Sequence, residues 1–166
     1  QLKNSLQGTL HIDSLTRVIY ATDASVYKKK PLAVAYPKSS ADIQKLIRFA
    51  DSNKIGLIPR SGGTSLAGQC VGDGIVVDVS RYLNRILEID PNNATARVEP
   101  GVIRDQLNNA LVEKGLFFGP NTSTSKYCTL GGMVGNNSSG STSIRYGVTR
   151  DKLVSVKGFF SDGSEA

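Results

Sequence analysis

The sequence predicts an α+β fold in which a small parallel α/β unit is followed by a second unit of mixed, partly antiparallel strands and helices. Three observations predict it. Two strongly apolar runs, at 32–36 and 75–79, bracket a stretch of helical periodicity, which is the pattern of strand-helix-strand units. Two more alternating runs flank Pro91-Asn92-Asn93, the pattern of a hairpin. Finally, 17 glycines with 39% hydrophobic residues suit a loop-rich domain and are too apolar for a disordered chain.

Taken in order, Leu32-Ala33-Val34-Ala35-Tyr36 is a buried strand ended by Pro37, and Ser39-Ser40-Ala41-Asp42 supplies a helix N-cap. Ile43, Leu46, Ile47 and Ala50 recur at helical spacing, so residues 41–53 form a helix. The chain returns as the strand Gly56-Leu57-Ile58-Pro59, and Ile75-Val76-Val77-Asp78-Val79 adds another, parallel to the first two through short connections. Residues 15–80 are thus the first subdomain and 81–166 the second. There, 86–90 and 95–99 pair as the hairpin, and Pro100-Gly101 breaks the chain. Apolar residues at 103, 107, 110 and 111 predict a helix over 102–114, closed by Gly115. A polar, glycine-rich segment without an obvious hydrophobic face fills 119–147, and a last strand is expected over 153–160. No internal repeat is visible.

A length of 166 residues is one ordinary domain with room for a core. No apolar run approaches the roughly 18 residues a membrane span needs, and the N-terminus lacks a basic segment followed by an apolar one. Cys70 and Cys128 are too few and too far apart for a disulfide scaffold or metal knuckle. They read as reduced thiols, which places the protein in the cytoplasm, with the inner face of the membrane as an alternative. The net charge of +6 is dispersed among acids apart from Lys28-Lys29-Lys30. That argues for a solvated surface rather than a nucleic-acid site, although the excess can steer an anionic ligand. His11, the one histidine, lies away from every motif.

The chemistry gathers in two loops. Pro59-Arg60-Ser61-Gly62-Gly63-Thr64-Ser65-Leu66-Ala67-Gly68-Gln69 follows a strand directly, and small residues there let backbone N–H groups close around an anion such as diphosphate. Within 119–147, Gly131-Gly132 and Asn136-Asn137-Ser138-Ser139-Gly140 bring amides and hydroxyls that both donate and accept, suited to a heterocycle as well as to phosphate. Thr129 can cap a short helix starting at the glycines. Alone, each loop is weak evidence, because a glycine-serine loop is more often simply a turn. Neither Gly-x-Gly-x-x-Gly nor the Gly-Lys-Ser/Thr of a P-loop is present, which argues against both common nucleotide folds.

The order Pro-Arg-Ser-Gly-Gly-Thr-Ser at 59–65, Glu99-Pro100-Gly101-Val102, Gly119-Pro120-Asn121-Thr122, Thr129-Leu130-Gly131-Gly132 through Gly140, and Tyr146-Gly147 resembles the flavin-binding domain of the vanillyl-alcohol oxidase and p-cresol methylhydroxylase (PCMH) superfamily, the FAD-linked oxidase domain. Gly68-Gln69-Cys70-Val71 and Gly132-Met133-Val134-Gly135-Asn136-Asn137-Ser138 are most similar to its D-2-hydroxyacid dehydrogenase branch, which includes D-lactate and D-2-hydroxyglutarate dehydrogenases, some joined to iron–sulfur modules. The resemblance implies a PCMH-type fold and residue-specific roles. Backbone groups of Arg60, Ser61, Gly62, Gly63, Thr64 and Ser65 would hold the FAD diphosphate. Pro120, Asn121, Thr122 and Thr129 would lie along the ribityl chain and diphosphate, and Gly131, Gly132, Gly135, Asn136, Ser139 and Gly140 would cover the flavin-proximal side.

Some relatives tether flavin through a His after the paired glycines. Thr64 stands there, which implies noncovalent FAD, and the surroundings of Cys128 do not reproduce a cysteine tether. The implied activity is oxidation of a 2-hydroxy acid by hydride transfer to flavin N5, with electrons passed to a separate acceptor. The base, the carboxylate-binding Arg and any metal site belong to a cap domain in the family, so no catalytic residue and no metal ligand are assigned. The chain is expected to be part of a longer enzyme, truncated at the C-terminus, that alone binds FAD weakly or not at all and does not turn over. Any iron–sulfur cluster would lie outside it. A sugar oxidase or a cell-wall precursor reductase of the same fold, and a noncatalytic anion- or nucleic-acid-binding module, are the alternatives.

Overall fold

The computed structural model of the chain describes residues 2–166. They divide into two compact units, one running through Tyr82 and including Val156–Ala166, the other Leu83–Ser155.

In the first unit, helix α1 (Leu2–Ser5) leads into strand β1 (Thr9–His11) and helix α2 (Ser14–Ile19), which Asp13 caps by accepting the Thr16 N–H. Strand β2 (Ala33–Tyr36), helix α3 (Ser40–Asn53), strand β3 (Leu57–Arg60) and strand β4 (Ile75–Asp78) follow. The sheet order is β1-β2-β4-β3, with β2, β4 and β3 parallel and β1 antiparallel on the edge of β2. Every residue of β2 and β4 is buried, as expected of parallel strands covered on both faces. Ala33, Ala35, Ile75 and Val77 pack with Leu46 of α3 on one face. Val34, Tyr36 and Val76 pack with Tyr20 and Tyr82 on the other.

Helix α3 starts where its sequence says. Ser39 accepts the Asp42 N–H, and Asp42, Leu46 and Ala50 at helical spacing form its buried stripe. The Asp42 carboxylate, fully buried, ties three separate backbone N–H groups together: Gln7 at 2.9 Å, Gly8 at 2.8 Å and Lys38 at 3.0 Å. Burial alone would raise its pKa, but these N–H donors outweigh burial and hold the carboxyl below the usual range.

In the second unit, β5 (Ile86–Asp90) and β6 (Thr95–Val98) form the expected antiparallel hairpin, with Ala94 in the left-handed region at its turn. Helix α4 (Arg104–Val112) buries Leu107 and Leu111 against Val102, Leu130 and the hairpin. It begins two residues later than the periodicity suggests, because Val102 and Ile103 are drawn into loop pairing: Val102 O accepts the Leu130 N–H, and Ile103 bridges Thr129. The glycine-rich segment is not shapeless. It contains α5 (Leu130–Asn136), whose Leu130 and Met133 are buried, and α6 (Ser143–Tyr146).

The strand expected over 153–160 does not form. Residues 153–157 are exposed and form no regular element, and Phe159 bridges Glu165 within a local turn. Apolar residues supply strand propensity, but residues 158–166 fold back on themselves, Gly158 pairing with Ala166 and the Phe160 N–H donating to Ser164 O, and 153–157 join no ladder.

Candidate functional site

Each glycine loop is built by the elements beside it. In the first unit, β3 ends at Arg60, whose carbonyl accepts the Val79 N–H and so ends the parallel ladder with β4. The Arg60 guanidinium turns back beneath the loop. Its Nη1 donates to Thr22 O at 2.6 Å, and it lies over the Tyr20 ring at 4.9 Å. Tyr20 is fixed in turn by donating to Asp78 Oδ2 at 2.6 Å, while the Ser80 N–H and hydroxyl occupy Oδ1. Burial first, then the bond to Asp78, raises the Tyr20 pKa, so the phenol remains a donor.

Above this support Gly63 adopts φ +63°, and a Cβ there would meet Arg60 Nη2 at 2.8 Å. The Gly63 carbonyl accepts the Ala24 N–H. Among the described residues, the N–H groups of Gly62, Gly63, Thr64 and Ser65 donate to no protein acceptor. Four consecutive free donors on a loop pinned from below suit an anion such as diphosphate. Downstream, the Ser65 hydroxyl donates to Gln69 Oε1 at 2.6 Å and Ala67 N–H returns to Ser65 Oγ, which closes the loop. Gly68, at φ +70°, backs onto the Tyr27 ring. Cys70 is buried against Asp23, and burial pushes its thiol pKa up, which favours the protonated thiol.

In the second unit the remaining candidates gather around residues 118–140. Pro120 is fully buried, and Asn121 O lies so close to Gly140 that any Cβ would overlap it. The Thr122 hydroxyl contacts Cys128 Sγ at 3.1 Å, so this buried thiol is engaged within the protein. Thr129 caps α5 by accepting the Gly132 N–H at 3.4 Å. Gly131 N–H donates to Pro100 O, and a Cβ on Gly131 would strike Pro100 at 2.6 Å, so this glycine serves close packing of α5. Gly135 has open space at its Cβ position. Asn136 reaches Ser138 Oγ, and α5 ends at Asn137 in the left-handed region. Ser139 leads into Gly140, whose N–H donates to Ser143 Oγ.

Several residues that shape the site had no motif to mark them. Arg104 and Asn108, polar residues four apart on α4, bond the backbone of 118–120: Arg104 reaches Phe118 O and Pro120 O, and Asn108 both donates to and accepts from Phe118. Thr142 Oγ1 donates to Gly119 O at 2.8 Å. Arg104 and Asn108 flank the apolar stripe of α4, each one position beyond Ile103 and Leu107; that spacing was their only signal, and it reads equally as a wet flank. His11 stays in a local role, near Thr9 Oγ1 and edge-on to Tyr36. Among the described residues no three His, Cys, Asp or Glu side chains cluster as metal ligands, and no helix is long and apolar enough to cross a membrane.

Residues 31–165 match the family described as an FAD binding domain. A D-2-hydroxyglutarate dehydrogenase of Pseudomonas putida is 42% identical over 159 residues, covering 93% of this chain but 16% of the relative. Glycolate oxidase subunit GlcD of Bacillus subtilis is 36% identical over 149 residues, covering 89% of this chain and 32% of the relative. Among solved structures, 6-hydroxy-D-nicotine oxidase of Arthrobacter nicotinovorans superimposes with a TM-score of 0.85 at 27% identity over 100% of this chain and 36% of its own. p-Cresol methylhydroxylase, at 19% identity and a TM-score of 0.76 over 95% of this chain and 32% of its own, shares the fold.

Proposed function

Because the chain belongs to the FAD binding domain family, we propose that it is the FAD-holding part of an oxidoreductase that oxidises a D-2-hydroxy acid and passes the electrons to a separate acceptor. The chain spans about a sixth of the length of the first D-2-hydroxyglutarate dehydrogenases it matches, those of Pseudomonas putida and Escherichia coli. Substrate and acceptor are therefore read from the kinship with those dehydrogenases and with glycolate oxidase.

The observation that carries the cofactor assignment is the run of free N–H groups from Gly62 to Ser65, held open by Arg60, Tyr20 and Asp78. In this reading those donors take the diphosphate oxygens. Pro120 to Thr122 and Thr129 lie along the ribityl chain and diphosphate, and Gly131, Gly132, Gly135, Asn136, Ser139 and Gly140 flank the ring system. Bound FAD supplies the acceptor for the hydride of the substrate α-carbon. Thr64 leaves no imidazole for a tether, and Cys128 is buried against Thr122, so binding is noncovalent.

Protein expressed from the complete reading frame tests this. It is expected to carry about one flavin per chain, released intact on denaturation, and to bleach under anaerobic D-2-hydroxy acid. A flavin bleached by NADPH and not by hydroxy acids would overturn the substrate class. A protein that takes up no FAD would overturn the cofactor assignment.

A further inference from the structure

We propose that Arg104 is a positioning residue for the cofactor, acting through the peptide that joins Pro120 to Asn121. The proposal rests on the assignment of residues 120–122 to FAD.

The Arg104 side chain is largely buried, 15% exposed, and each arm of its fork has its own partner. Nε donates to Pro120 O at 3.2 Å, Nη2 to Phe118 O at 3.3 Å, and Nη1 to Asp105 Oδ1 at 2.9 Å. Asp105, its carboxyl held below the usual range first by this guanidinium, accepts the Ser125 hydroxyl at 3.0 Å, and its N–H donates to Ser125 O. Both ends of the 118–125 segment are therefore fastened to the first turn of α4. One turn later Asn108 closes the Phe118 backbone in both directions.

The consequence follows from peptide planarity. The carbonyl of Pro120 and the N–H of Asn121 belong to one trans peptide and point in opposite directions. Pinning Pro120 O to the guanidinium turns the Asn121 N–H away from α4, and the positive charge on the carbonyl side strengthens that N–H as a donor. Neither the Asn121 nor the Thr122 N–H has an acceptor among the described residues. Gly140, lying against Asn121 O, sets the next peptide from the other side. The segment thus offers oriented, unspent donors to an oxygen of the bound cofactor. Lysine cannot replace this function, since a single ammonium does not reproduce a planar fork that reaches carbonyls two residues apart together with a carboxylate.

The test uses R104K and R104A in protein expressed from the complete reading frame, with R85K, an exposed ion-pair arginine of the same unit, as the control. FAD affinity of the apoprotein is read by flavin fluorescence quenching, amide exchange over 118–125 by peptide mass spectrometry, and the visible band of the reconstituted flavin by absorption. R104K is expected to weaken FAD about tenfold, to speed exchange across 118–125 about tenfold, and to displace the band. R85K is expected to leave all three unchanged. R104K carries the test if R104A fails to fold. Wild-type affinity, exchange and spectrum in R104K would overturn the proposal alone. So would an exchange increase spread evenly over α4 and the hairpin with the band unmoved, the mark of a merely structural arginine. Wild-type protein that takes up no FAD would overturn the cofactor reading and this proposal with it.

Discussion

Substituting Gly140 by alanine separates a glycine that the site needs from one that it tolerates. The Cβ would overlap Asn121 O and sit 2.6 Å from the Asn121 carbonyl carbon, with Thr122 N at 3.3 Å. For ordinary contact, 3.4 Å or more, the carbonyl carbon must retreat by about 0.8 Å, and the oxygen further. Both obstacles are backbone, with no side chain to swing aside, and the residues before them are held by Arg104 at Pro120 O and by Asn108 at Phe118. Overpacking of this kind costs about 1–3 kcal/mol, and a displacement near 1 Å of a ligand-positioning segment costs up to about a hundredfold in function. G140A is thus expected to lower the urea midpoint by the equivalent of about 2–3 kcal/mol and to weaken FAD at least about tenfold. G135A is the internal comparison: its Cβ enters open space within α5, and alanine is favoured over glycine there by about 1 kcal/mol. It is expected to hold or raise the midpoint. If G140A unfolded at the wild-type urea concentration with FAD affinity intact, the close approach would not matter and the reasoning would fail.

Three further outcomes follow from the first unit. D42N replaces a carboxylate that accepts three backbone N–H groups with an amide that can offer them one oxygen, and should cost about 3 kcal/mol by chemical denaturation. Because the folded Asp42 carboxyl titrates below its ordinary 3.8, its contribution is complete above that pH and lost as the pH falls beneath it; the acid limb of the stability curve should flatten in D42N, and an unchanged limb would refute the linkage. Y20F deprives Asp78 Oδ2 of its phenol donor and should destabilise by about 1–3 kcal/mol, yet it keeps the ring under Arg60. FAD affinity should therefore hold in Y20F and fall in Y20A; equal affinities in the two would detach the ring from the loop. G63A places a side chain at φ +63° against Arg60, a left-handed penalty of about 1–2 kcal/mol, and should weaken FAD alongside stability, as titration of both would show.

Elements whose partners lie nearby in sequence were legible. The strands at 33–36, 57–60 and 75–78, the helix between the first two and the 86–98 hairpin all follow from periodicity plus punctuation by Pro37, Ser39 and Pro91. Part of what escaped depends on a remote edge. The Thr9–His11 strand is three residues long and too short to carry a period, and it exists because β2 offers a free side and Asp42 fastens the Gln7 and Gly8 N–H groups before it. The 153–160 run is the converse, with strand-forming residues that join no ladder. Propensity proposes strands, and pairing decides which of them exist.

The same division runs through the site. Composition marks where backbone must come close, since only glycine tolerates the approach of Asn121 to Gly140, of Pro100 to Gly131, or of Arg60 to Gly63, and the loops carrying those residues stood out. Composition does not mark what aims that backbone. Arg60 looked like one more residue of the loop, yet its side chain works below it, against Thr22 and Tyr20. Arg104 and Asn108 sat at the border of an apolar stripe, where polar residues often face water, and instead their side chains bond the carbonyl and N–H groups of 118–120. A loop made bare so that its N–H groups can serve a ligand cannot hold itself in shape, because every bond it makes internally consumes a donor. Its order must come from carbonyl-side contacts supplied by neighbouring elements, and arginine, which donates only, is the side chain suited to supplying them. In each unit of this chain a buried or half-buried arginine occupies that position, so the arginine next to a glycine-rich segment is the residue to test before any residue within it.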